Sequence, residues 1–325
     1  MEQHNSKPIR CIVKLGGAAI TCKNELETIH KENLMIVSSQ LRQTLMSGSA
    51  SSRVVGMDWS KRIGFSEPPI LESGCSDQPV VDSKSFVVVH GAGSFGHFQA
   101  SKSGVHKGGL SKPIVKAGFV ATRISVTSLN LEVVRALARE GIPSIGMSPF
   151  SCGWSTCQRN MEEAEISMVI NAIDAGFIPV LHGDAVLDSS QECTILSGDV
   201  IIRHLAAKLK PEYVVFLTDV SGVYDRPPTD PDAVLLQEID VCEDGSWYVV
   251  KPALLGASKP EFTVASHDTT GGMVTKISEA AMIAKLGIDV FIVKVGTEDS
   301  LRALDGSLLG EIPNDWLGTA IRLVR

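Results

Sequence analysis

Aromatic side chains are scarce in this chain. Ten Phe, three Tyr and four Trp make up 5% of 325 residues. Stacking platforms for unpaired bases need such rings, so single-stranded nucleic acid is a poor partner. Basic charge is short as well: 30 Lys and Arg face 37 Asp and Glu, a net charge of -7. That removes the broad basic face of a duplex binder but leaves room for local basic pockets. The seven cysteines (Cys11, Cys22, Cys75, Cys152, Cys157, Cys193 and Cys242) include no CxxC pair. An odd, scattered set reads as reduced thiols, which argues against a disulfide frame and against zinc. No apolar run approaches the length that spans a bilayer. Met1 to Arg10 is polar and has no apolar signal core. The expectation is a cytoplasmic protein with no membrane and no nucleic-acid partner.

What the chain does have is apolar residues, 44% of the total, enough for one large core or two lobes. β-Branched runs alternate with amphipathic ones, the pattern of an α/β protein with a mainly parallel sheet. Strands are expected at Ile9–Leu15, Phe86–His90, Ser144–Met147, Ile178–His182, Tyr213–Thr218 and Val290–Val295. Helices are expected at Glu25–Met46, Val115–Glu140, Glu162–Ala175, Val200–Lys210, Gly272–Leu286 and Ser300–Leu304. Gly141-Ile142-Pro143 and Gly176 are helix stops. A hairpin is expected within Leu181–Leu196, turning near Asp188-Ser189-Ser190. Residues 48–84, rich in Ser, Gly, Pro and charge, read as a mobile surface insertion. Residues 225–262 read either as a flap over a ligand or as a peripheral excursion.

Glycine turns carry the functional signal. Val87-Val88-Val89-His90-Gly91-Ala92-Gly93-Ser94-Phe95-Gly96-His97 is a strand-like run ending in a glycine turn, with a histidine just beyond. Glycine lets the backbone approach an anion and aim N–H groups at it, and a helix starting near Ser94 turns its positive end to the same place. Lys14-Leu15-Gly16-Gly17 repeats the design. Leu196-Ser197-Gly198-Asp199 and Thr270-Gly271-Gly272-Met273-Val274-Thr275-Lys276 each open a helix. One such turn is weak evidence. Three of them with two lysines, a histidine and an aspartate suit two phosphate groups and a metal ion.

Taken together these motifs resemble the amino acid kinase superfamily: Lys14-Leu15-Gly16-Gly17, His90-Gly91-Ala92-Gly93, Ser197-Gly198-Asp199, Thr218-Asp219-Val220-Ser221-Gly222-Val223, and Thr270-Gly271-Gly272-Met273 with Lys276. Ser94-Phe95-Gly96-His97, His182-Gly183-Asp184 and Ile195-Leu196-Ser197-Gly198-Asp199 are similar to its isopentenyl phosphate kinases of the plant-like kind. Relatives acting on carboxylates lack the histidine. The resemblance implies a three-layer α/β/α fold around an eight-stranded, mainly parallel sheet. It implies a substrate lobe at 1–185, a nucleotide lobe at 186–325, and a homodimer. The implied reaction moves a phosphoryl group from Mg·ATP to isopentenyl phosphate, with dimethylallyl phosphate as a second acceptor. A fosfomycin-like phosphonate or carboxylate kinase and a non-catalytic nucleotide sensor are the alternatives.

The resemblance also implies roles. Lys14 would offset charge between the two phosphates, and Asp199 would hold Lys14 in place. Lys276 would contact the β/γ-phosphates. Gly16, Gly17, Ala92 and Gly272 would border ATP, with Lys23 as a further contact to its γ-phosphate and Asp219 and Tyr224 beside the nucleoside. Gly91, Gly93, Gly96 and Gly198 would surround the substrate phosphate, to which His97 donates a hydrogen bond. A dianion beside an imidazole favours the charged ring. Phe119, Val120 and Ile124 would line the slot for the isoprenoid tail. Ordinary core packing is the competing reading for these three, helix capping for Asp199. No compact carboxylate cluster marks a metal cage, so Mg²⁺ would ride on ATP and water.

Overall fold

The computed structural model describes residues 9–45, 57, 86–252 and 272–324. In chain order the elements are β1 (Cys11–Leu15), α1 (Gly17–Ile20), α2 (Lys31–Leu45), β2 (Phe86–His90), α3 (Gly93–Ser103), α4 (Pro113–Arg139), β3 (Ser144–Met147), β4 (Ser155–Cys157), β5 (Asn160–Glu163), α5 (Ser167–Asp174), β6 (Ile178–His182), β7 (Asp184–Asp188) and β8 (Glu192–Leu196). They continue with α6 (Gly198–Leu209), β9 (Tyr213–Thr218), β10 (Val223–Tyr224), β11 (Leu235–Leu236), β12 (Glu238–Val241), β13 (Trp247–Lys251), α7 (Gly272–Ala284), β14 (Asp289–Lys294), α8 (Glu298–Leu304) and β15 (Gly318–Leu323).

The central sheet runs β13-β12-β15-β14-β9-β1-β2-β6-β3. From β14 through β9, β1, β2 and β6 to the edge strand β3 all neighbours are parallel. Because successive strand residues face opposite sides, each inner strand feeds two cores. Ile12, Val87, Val89, Val214 and Phe216 join one cluster with residues of α5, α6 and α7. Val13, Val88, Val215 and Leu217 join the other with residues of α2, α4 and α8. These are the three expected layers. Lys14 shares the parity of Ile12, so its side chain enters the α6–α7 layer.

Among the described residues the sheet has nine strands where the resemblance implies eight, and the difference lies in the region read as irregular. β12 and β13 form an edge hairpin whose Trp247 and Val249 pack on the core while Tyr248 and Val250 face solvent. Asp244 accepts hydrogen bonds from the Ser246 amide and hydroxyl, and Gly245 supplies the left-handed backbone of the turn. Two expected helices are shorter than their periodicity suggests. The first starts at Lys31, because Glu27 is left-handed and Thr21 bridges to Ile29. The other starts at Ser167, because Asn160–Glu163 pairs with β4. The expected hairpin is β7–β8, and its turn is fixed by Asp188, which accepts from the Ser190 and Gln191 amides. Apart from Met57, the expected insertion at 48–84 lies outside the described residues, as do 253–262 and His267.

Candidate active site

β1 and β2 lie side by side, and both glycine turns leave their carboxyl ends. This is where ligands settle in open parallel sheets. The turns touch. A Cβ on Gly17 would meet the Gly93 nitrogen at 2.4 Å and its Cα at 2.6 Å, and one on Gly91 would meet the Gly17 nitrogen at 2.8 Å. Gly93 also has φ of +50°, a left-handed conformation that favours glycine. Thr21 clamps the pair: its hydroxyl donates to the Gly17 carbonyl at 2.8 Å and accepts from the Ser94 amide at 3.0 Å. Nothing in the sequence marks Thr21, since the contact depends on two turns meeting in space.

Beneath the turns lies a buried ion pair. Lys14 Nζ is 2.8 Å from Asp199 Oδ1, and the two residues are 5% and 7% exposed. Lys14 also stands 5.7 Å from the centre of the Phe216 ring. Gly198 permits this approach, because a Cβ there would lie 3.0 Å from Lys14 Cε. Helix capping is done by Ser197, whose hydroxyl accepts from the Val200 amide at 3.2 Å. Asp199, in the first turn of α6, is thereby left to Lys14. Removing one partner of such a pair strands a buried charge and costs about 3–5 kcal/mol.

Other expected residues gather around this centre. Ala92 stands at the N-terminal boundary of α3, and Gly93, Gly96 and His97 lie in its first two turns. Lys23 pairs with Asp219 at 2.6 Å across the ends of β1 and β9, both side chains accessible to solvent. Tyr224 is half-buried in β10. Gly272 opens α7, and Lys276 lies in its second turn. α6 and α7 lead into the adjacent parallel strands β9 and β14, so they run in the same direction. Their N-terminal ends, with Asp199 in the first turn of α6 and Lys276 in the second turn of α7, therefore share the site's edge of the sheet.

Two expectations change. Gly16 donates its N–H to the Leu217 carbonyl at 2.8 Å, so that amide is already engaged within the fold. The proposed tail residues separate. Phe119 is buried with Val105, Val115, Ala185 and Cys193, while Val120 and Ile124 are 54% and 64% exposed. All three border an open groove of about 860 Å³ along α4, but none of its lining residues belongs to the glycine turns. Helical geometry is the reason, because position 120 points some 100° away from 119.

The histidines ending β2 and β6 are structural. Their rings stack at 5.6 Å. Asn130 donates to His90 Nε2 at 3.1 Å, and His90 Nδ1 faces the Gly91 carbonyl at 3.0 Å. Burial first, then His182, pushes the His90 pKa down to about 3, so the ring is neutral and carries its proton on Nδ1. Asp184 is also buried. It accepts from the Ser148 hydroxyl at 2.7 Å and the Ala185 amide at 2.9 Å, and pairs with Arg123 at 3.3 Å, tying β7 to α4.

A buried lysine thus lies beneath two mutually touching glycine turns, and known proteins show the family that shares this chain's pattern. The amino acid kinase family profile matches residues 78–294. This chain belongs to the amino acid kinase family. An isopentenyl phosphate kinase from Arabidopsis thaliana is 69% identical over 99% of this chain and 98% of its own length. Another from Methanothermobacter thermautotrophicus is 32% identical over 92% of this chain and 95% of its own. Among solved structures, an isopentenyl phosphate kinase at 29% identity superposes with a TM-score of 0.66, covering 91% of this chain and 96% of that one. This member of the family is thus similar, over nearly its whole length, to kinases of isopentenyl phosphate. Among the described residues no helix is long and apolar enough to cross a membrane.

Proposed function

We infer that the chain transfers the γ-phosphoryl group of ATP to isopentenyl phosphate, giving isopentenyl diphosphate and ADP in isoprenoid biosynthesis. The observation that carries this reading is the buried Lys14–Asp199 pair beneath the two touching glycine turns. The acceptor is already a nucleophile: a phosphate monoester has its second pKa near about 6 and is largely dianionic at neutral pH. No general base is needed. The barrier is repulsion between two anions that must meet in line, so catalysis is positioning and charge neutralisation. Lys14 supplies a fixed positive charge between the phosphates, and Asp199 holds its amine there. Gly17 and the start of α3 offer amides, and His97 donates to the acceptor phosphate. Lys276 reaches the β/γ-phosphates from α7. The exposed Lys23–Asp219 pair is weak in water, so a nucleotide phosphate can draw Lys23 away.

In this reading residues 1–185 hold the acceptor and 186–325 the nucleotide, with one sheet running through both. Among the described residues no group of three His, Cys, Asp or Glu could hold a metal ion. With Asp199 engaged by Lys14, Mg²⁺ would be held by the ATP phosphates and water and would supply positive charge there. The five-carbon tail lies against the apolar cluster of Val105, Val115, Phe119, Ala185 and Cys193, bounded by α4 and the β7–β8 hairpin. Burial of the tail would contribute about 0.8 kcal/mol per CH₂, and dimethylallyl phosphate carries the same number of carbons. Val120, Ile124 and Leu131 instead form an exposed stripe on α4, the candidate face of a homodimer in the cytoplasm. The test is ADP release from Mg·ATP over a panel of acceptors. Isopentenyl phosphate is expected to be turned over far faster than fosfomycin or acetylglutamate, and the reverse order would overturn the assignment.

A further inference from the structure

A second ion pair, of a half-buried arginine with a buried glutamate, lies one helical turn beyond the first. Arg203 Nε is 2.5 Å from Glu279 Oε2, linking α6 to α7, and neither atom has another hydrogen-bond partner. Arg203 follows Asp199 by four residues on α6, and Glu279 follows Lys276 by three on α7. Such spacings place both members of each pair on one helix face. An aspartate four residues ahead of an arginine is itself a favourable helical ion pair. Arg203 therefore has two carboxylates within its compass, Glu279 and Asp199, and Asp199 is the one Lys14 needs.

We propose that Glu279 is a positioning residue that engages Arg203 and so reserves Asp199 for Lys14. The proposal rests on the phosphoryl-transfer reading of Lys14 and Asp199. When Glu279 loses its charge, the guanidinium turns along α6 to Asp199. Lys14 then shares its anchor, and its amine leaves the line between the phosphates. Nothing here requires Glu279 to touch substrate.

The surroundings make the latch sensitive to protons. Burial pushes the Glu279 pKa up to about 7, Arg203 opposes the shift and Asp199 adds to it. The charged groups acting on it are Arg203 and Asp199 from α6, while Lys276 lies three residues earlier on its own helix. Beneath α7, β14 and β15 present the buried apolar residues Val290, Ile292 and Ile321, while Arg322 is engaged with Asp289 and Glu238. Near neutral pH a falling pH therefore protonates Glu279 and releases Arg203.

The experiment compares wild type, Glu279→Gln, Glu279→Asp and the double variant Arg203→Met/Glu279→Gln in steady-state kinetics with isopentenyl phosphate and Mg·ATP, with melting curves for each. Glu279→Gln is expected to lower kcat about tenfold or more with little change in either KM, since the loss falls on the transition state. Glu279→Asp is expected to recover part of it. The double variant is expected to recover most of it, because the competing cation is gone. The wild-type kcat profile is expected to carry an acid limb near pH 7 that the double variant lacks, leaving only the limb of the acceptor phosphate. A double variant as slow as Glu279→Gln, or one that keeps the pH 7 limb, overturns the proposal. So does a Glu279→Gln enzyme with wild-type kcat. If the wild type itself does not phosphorylate isopentenyl phosphate, it is the functional reading that fails.

Discussion

Replacing Gly17 by alanine puts a methyl group where another backbone already lies. The new Cβ would sit 2.4 Å from the Gly93 nitrogen and 2.6 Å from its Cα. Ordinary contacts begin near 3.4 Å, so the two turns must part by about 1 Å. Neither side can yield by rotating a side chain, because the obstructing atoms are main chain. Overpacking of this kind costs about 1–3 kcal/mol. Displacing reacting groups by about 1 Å can cost about 10²-fold in rate. The expected outcome is a folded protein that melts several degrees lower and turns over roughly a hundredfold more slowly. Gly104→Ala is the control. Gly104 ends α3 with φ of +77° and has nothing within 4 Å of its would-be Cβ. It is expected to lose about 1 kcal/mol from backbone strain and to keep its kinetics. Melting curves and a coupled ADP assay read both effects. If Gly17→Ala matched wild type in rate, or Gly104→Ala were equally slow, contact between the turns would not be what aligns the phosphates.

Lys14→Met is expected to cut kcat by several orders of magnitude, and Asp199→Asn by less, since only the first removes the positive charge between the phosphates; equal and small effects would argue against the assigned roles. The buried neutral histidines predict acid lability. With its folded pKa below the unfolded value of about 6.5, His90 contributes full stability above that value and loses up to about 1.4 kcal/mol per pH unit as pH falls from there toward 3. Urea melts at pH 7.5 and 5.5 measure this, and a His90→Gln variant that kept the whole slope would count against it. Asp188 is buried, yet hydrogen bonds from Ser190, Thr156 and Arg159 outweigh burial and hold its carboxyl well below the usual range. Asp188→Asn is expected to destabilise by about 1–3 kcal/mol at pH 7, with the difference shrinking as pH drops below about 4; a melt unchanged at pH 7 would contradict that. Ile124→Glu is expected to leave turnover intact and shift sedimentation from dimer to monomer, whereas an unchanged dimer would place the interface elsewhere.

The six expected strands are all present because β-branched runs bounded by glycine turns leave little choice of conformation. The motifs converge for the same reason: period-2 alternation puts Lys14 in the α6–α7 layer, and the parallel order puts the turns after β1 and β2 side by side. The edge hairpin carried a readable signal, Asp244-Gly245 followed by the alternating Trp247-Tyr248-Val249-Val250, but the prolines at 227 and 228 dominated the reading of that region. Apolar spacing cannot say which face of α4 is covered, and Val120 and Ile124 lie on an exposed one. Thr21, Arg203 and Glu279 left no local trace at all, since each acquires meaning only from a residue distant in sequence.

Phosphorus NMR of the reaction itself tests the central claim most directly. With isopentenyl phosphate, ATP and Mg²⁺, the monoester signal is expected to give way to the two coupled resonances of a diphosphate at the rate at which ADP appears. A monoester signal that persists while ATP is consumed, or that persists beside a rapidly phosphorylated fosfomycin, would contradict a site built to join two phosphates.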